Sequence, residues 1–157
     1  MTTSIGIKPE HLALVSQSLN KLLADEHVLY IKTRNAHWNV EGPDFHAQHL
    51  FFEGQYKQLE EMIDEIAERV RSLGHFAIAT MAGFLELTSL TEVTREKNDS
   101  KGYIKELLKD HEAIIIHIRE NVDKYADEWG DAGTSDFVTG LMEEHEKMAW
   151  MLRAHLK

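Results

Sequence analysis

Five residues of the sequence could hold a metal cation between them: His37, His49, Glu53, Asp64 and Glu68. His49 and Glu53 are four apart, and so are Asp64 and Glu68, so on a helix the members of each pair share a face. At about 100° per residue all four fall within an arc of roughly 100°, bordering the apolar stripe of the same helix. Acids and imidazoles at the edge of a core are where a partly buried metal site forms. With no cysteine in the chain, the donor set suits iron, manganese or zinc. The plain alternative is that the carboxylates are solvated surface and that His37, beside Trp38, caps or packs.

The two pairs cannot meet on one ion within one chain. His49 and Asp64 are separated by roughly 22 Å along a helix, whereas metal–ligand bonds are only about 2 Å long. One site using both pairs needs a second copy of the helix lying antiparallel to the first. A two-fold dimer supplies that copy and necessarily makes two identical sites. His37 lies one turn of chain and two helical turns before His49, so it can join the His49–Glu53 end.

The elements that would carry these residues are four long helices. From Pro9, the residues Leu12, Val15, Leu19, Leu22, Leu23, Val28 and Leu29 recur at three- and four-residue steps, predicting a helix to about Trp38. After a turn at Asn39–Gly42, Pro43 is expected at the first position of a second helix. That helix carries Phe52, Leu59, Ile63, Ile66 and Val70 inward and stops at Gly74. Residues 75–97 are more mixed, with a short helix around Ala79–Leu87 and a polar stretch from Thr91 to Ser100. Asn98, Asp99 or Ser100 can cap a third long helix bearing Ile104, Leu107, Leu108, Ile114, Ile115 and Ile118. Trp129–Gly133 breaks the pattern, and Thr134 or Ser135 is the expected cap of a last helix through Phe137, Leu141, Met148 and Leu152. The expected fold is an all-α, ferritin-like four-helix bundle in one domain, 1–157, with 1–8 as a short extension. Its second-to-third connection is long enough to cross the bundle.

Composition narrows the partners. Asp and Glu number 27 against 17 Lys and Arg, a net charge of −10 that repels phosphate backbones and attracts cations. No apolar run approaches the roughly 18 residues of a membrane span, and no basic segment followed by an apolar block opens the chain, so a cytoplasmic protein is expected. The residue three before each of the ten histidines is never glutamate. The Glu-x-x-His ligand pattern of bundles that hold two irons within one subunit is therefore missing.

The stretch His37-Trp38-Asn39-Val40-x-Gly42, followed by Phe45-x-x-x-His49-x-x-x-Glu53 and Asp64-x-x-x-Glu68-Arg69, closely resembles the Dps-type miniferritins. The likeness extends over nearly the whole chain, including the short helix in the long connection and Trp150 in the last helix. It implies a ferroxidase centre with His37, His49 and Glu53 from one subunit and Asp64 and Glu68 from its two-fold mate. It implies Fe2+ and hydrogen peroxide as substrates, ferric mineral stored inside a homo-dodecamer, and protection against oxidative stress. Trp38 and His46 become accessory candidates, and Asp131 and Asp136 candidates for an acidic pore, with Glu143 and Glu144 behind them. Family members that bind DNA often use a lysine-rich tail. Here the segment before Pro9 contains one basic residue, Lys8, so DNA is not an expected partner. A DNA-compacting nucleoid protein and a metal-free helical interaction module stand as the alternative readings.

Overall fold

The computed structural model describes residues 3–92 and 95–157. Positions 1 and 2 of the expected extension and 93 and 94 of the polar stretch lie outside them. Helix α1, Pro9–Asn39, starts with proline at its first position, where a missing N–H breaks no hydrogen bond. Helix α2 spans Phe45–Ser72, not starting at Pro43 as expected. Gly42 at φ +129 and Pro43 form the turn, and the Phe45 N–H donates to the Gly42 carbonyl at 3.1 Å. Gly74 at φ +86 follows the end of α2, in a left-handed conformation that glycine adopts without a Cβ clash.

The crossover then runs back along α1. It contains α3, Met81–Leu87, capped by Thr80, whose side chain accepts from the Gly83 N–H. Asn20 bonds the backbone of Phe76 and Ile78, and buried Asp25 accepts from the Thr88 hydroxyl at 2.8 Å and the Ser89 N–H at 2.7 Å. The crossover finishes at the opposite end of the bundle. There the Glu41 N–H donates to the Asn98 carbonyl, and Ser100 bonds Asp44 at 2.6 Å. Asp99 caps α4, Ser100–Asp127. The last helix, α5, Ala132–Ala154, is capped by Asp131 and not by Thr134 or Ser135. The Asp131 carboxylate accepts from the Thr134 N–H and also holds Arg69 of α2 at 3.0 Å, so the cap doubles as a tie between helices.

Side-chain pairings give the directions. His37 meets His49, Ser18 meets Tyr125, Lys32 meets Asp110 and Gln55 meets Met148, so α1 is antiparallel to α2 and to α4, and α2 to α5. The core lies on the shared axis: Leu19, Leu29, Phe52, Leu59, Ile104, Ile114 and Met148 are essentially inaccessible. Among the described residues no helix is long and apolar enough to cross a membrane.

Candidate metal centre

The antiparallel pairing of α1 and α2 brings the last turn of one helix against the first two turns of the other. His37 and His49 meet there with rings stacked at 3.8 Å between centroids and 19° between planes. Their hydrogen bonds are reciprocal. Nδ1 of His37 lies 2.7 Å from the His49 carbonyl, and Nδ1 of His49 lies 2.7 Å from the His37 carbonyl. A carbonyl can only accept, so each Nδ1 must carry the hydrogen, and each Nε2 is left with a lone pair. That is how a backbone carbonyl orients a metal-ligating histidine. His37 is buried and His49 half-buried, so these donors sit at the protein boundary.

Glu53 lies one turn beyond His49 on α2. Its carboxylate accepts from Lys57 Nζ at 2.5 Å. This hydrogen bond and the lysine's charge, with smaller contributions from His37 and His49, hold Glu53 below its ordinary carboxylate range. Lys57 was invisible to the ligand pattern, although the Glu53–Lys57 spacing of four is readable as a helical pair. It stands where a cation would compete for the same oxygen. Lys57→Met should therefore tighten zinc or ferrous binding, but by no more than about fivefold, because an exposed ion pair is screened by solvent and contributes little. Isothermal titration with Zn2+ checks this, and weaker binding would mean that Lys57 supports the carboxylate instead of competing for it.

Asp64 and Glu68 are exposed on α2, well down the helix from His49, and the single chain does not bring them to the histidines. Among the described residues, no group of three or more histidines and acids within one chain is placed to hold a metal ion. Around the half-site the surface is apolar: Trp38, Phe45 and Leu50 are 59%, 44% and 50% exposed. Trp38 packs under the Arg34 guanidinium, 4.8 Å from its ring centre, whereas Tyr56 stands edge-on to His37 at 5.2 Å, beside the stacked His49 ring. His46 is exposed one turn before His49.

The pore candidates separate. Asp131 is 3% exposed and its carboxylate is taken by Thr134 and Arg69, so it is a helix cap with no oxygen turned to solvent. Asp136 is exposed and lines a shallow hollow with Glu65, Glu143 and Glu144.

A family model of the ferritin-like domain matches residues 16–157. An uncharacterised low temperature-induced protein of Nostoc is 46% identical over 98% of this chain and 86% of its own length. A DNA protection during starvation protein of Bacillus anthracis is 39% identical, over 90% of this chain and 96% of its own. Among solved structures, the Dps protein of Vibrio cholerae, described as one of the ferritin-like diiron-carboxylate proteins, superposes with a TM-score of 0.92. It is 33% identical and covers 99% of this chain and 97% of its own.

Proposed function

From the premise that the chain belongs to the ferritin-like family, in its Dps branch, we propose that it is the ferroxidase subunit of a cytoplasmic, iron-storing shell. The observation that carries this reading is the reciprocal bonding of His37 and His49, which leaves two imidazole lone pairs beside an anionic Glu53. An antiparallel second copy of α2 would bring its Asp64 and Glu68 to the same place. The apolar fringe of Trp38, Phe45 and Leu50 supports such a copy, because exposed apolar groups clustered round a site favour coverage.

Each part of the donor set has a task. The imidazoles bind Fe2+ neutrally, and the carboxylates, being hard and anionic, favour the ferric product and so assist the oxidation. Few protein ligands per ion leave coordination positions open to water and peroxide. Hydrogen peroxide takes one electron from each of two ferrous ions, its O–O bond breaks, and both oxygens leave as hydroxide. No hydroxyl radical is released when both ions are present. The ferric product hydrolyses and is stored as mineral inside a dodecamer, while Trp38 and Tyr56 stand close by as oxidisable side chains. The charge of −10 favours cation entry and disfavours DNA.

The test is to load Fe2+ anaerobically, inject peroxide and follow ferric absorbance for the wild type and for Asp64→Ala/Glu68→Ala. Rapid oxidation lost in the double variant, with iron retained in a large particle by the wild type, is the expected outcome. A wild type no faster than buffer would sink the reading.

A further inference from the structure

Three ionisable side chains stand in the middle of the bundle with no exposed surface at all: Glu26 of α1, His111 of α4 and His145 of α5. They form a line. Glu26 Oε1 is 2.6 Å from His145 Nε2, and His145 Nδ1 is 2.9 Å from His111 Nδ1. Both ends are open, since Glu26 Oε2 and His111 Nε2 have no hydrogen-bond partner among the described residues. The iron chemistry uses none of the three. α2 adds no charge, because all of its buried residues are neutral. The neighbouring acids on α1 and α4, Asp25 and Asp110, face Lys21 and Lys32.

The line can hold its hydrogens in two ways. In one, His111 donates to a neutral His145, which donates to an ionised Glu26, and the trio carries a net negative charge. In the other, one more proton lies between Glu26 and His145. His145 then donates to His111, whose own hydrogen moves to Nε2, and the trio is neutral. Uncompensated charge in a dry core is unfavourable, so the second arrangement is preferred. We propose that Glu26, His145 and His111 work as one buried proton-holding unit that locks α1, α4 and α5 together and releases them when protons are withdrawn or added.

The sign of the pH response follows from counting protons. Above the ordinary histidine value of about 6.5, the unfolded trio holds one proton fewer than the native unit, so stability falls as pH rises. Below about 6.5 each unfolded histidine gains a proton, and the unfolded trio holds one more than the native unit. Burial, with the neighbouring His145 adding to it, keeps His111 well below the ordinary histidine range, so the native unit does not follow. Stability therefore falls with acid as well. Each one-proton imbalance changes the unfolding constant about tenfold per pH unit.

Urea unfolding of the assembled protein at fixed concentration, from about pH 5 to about pH 8.5, tests this with two variants. Glu26→Gln should flatten the alkaline limb relative to wild type and steepen the acid limb towards about a hundredfold per unit, because its native unit has no extra proton. His111→Phe should do the reverse on the acid side, making it shallower by about tenfold per unit and leaving the alkaline limb unchanged. Profiles parallel to wild type would overturn the proposal and leave the trio a packing feature. If His111→Phe does not fold, the opposite slope changes of Glu26→Gln still decide.

Discussion

Two inactive variants should restore one another when they are assembled together. His37→Ala/His49→Ala removes both imidazoles of each site, and Asp64→Ala/Glu68→Ala removes the acids. Each alone should oxidise iron at least on the order of a hundredfold more slowly, the upper end of what losing a mere outer-shell partner costs. If the site spans a two-fold interface, a mixed dimer contains one site with every ligand and one with none of the four. Random pairing of equal amounts makes half the dimers mixed, so about a quarter of the wild-type sites return. The measurement is peroxide-driven ferric absorbance after the variants are unfolded together and reassembled, against each refolded alone. Ligands acting within one chain would give no recovery at any ratio. That result would refute the shared site without touching the fold, because the substituted acids are exposed and the histidines lie at the protein boundary.

Most of this architecture is legible in the sequence, because its signals are local and repeated. Three- and four-residue apolar steps fixed the inward faces of α1, α2, α4 and α5, and Gly74 at positive φ ends α2 where the pattern breaks. Errors fall where neighbours compete for one role. Pro43 is eligible for the first helical position, but the tight turn through Gly42 takes it. Thr134 and Ser135 are good caps, but Asp131 reaches the Thr134 N–H and Arg69 at once, a tertiary advantage that no local rule contains.

At the proposed metal centre, the spacing of His37, His49 and Glu53 was readable. The tautomers were not, since they depend on carbonyls that meet only after α1 packs on α2. The buried trio had a signal that residue-by-residue reading passes over. Glu26 lies between Leu22 and Leu29, His111 between Leu107 and Ile114, and His145 between Leu141 and Met148. One polar residue replaces an apolar one in each stripe, which marks a level where three helices exchange hydrogen bonds inside the core.

Phe52→Ala should lower the stability of the subunit by about 3–5 kcal/mol, the range for emptying a buried aromatic position. Phe52 has no exposed surface, and its ring lies against Phe51 and edge-on to Tyr103 of α4 at 6.3 Å. Its removal leaves a cavity that rigid helices on either side can only partly close. The location ties this core position to the chemistry: Phe52 is three residues after His49 and directly before Glu53, in the same two turns of α2. The cavity therefore loosens the two turns of α2 that aim His49 and Glu53, two of the five proposed ligands, while deleting none of them. Urea unfolding should show the full stability loss. Zinc titration of the folded protein should show a weakening well short of that in His49→Ala, and it should shrink on cooling if local opening is the cause. A stability loss under about 1 kcal/mol would mean that the site collapses around the gap, and that α2 is held at this level by α1 instead of by the Phe52–Tyr103 contact.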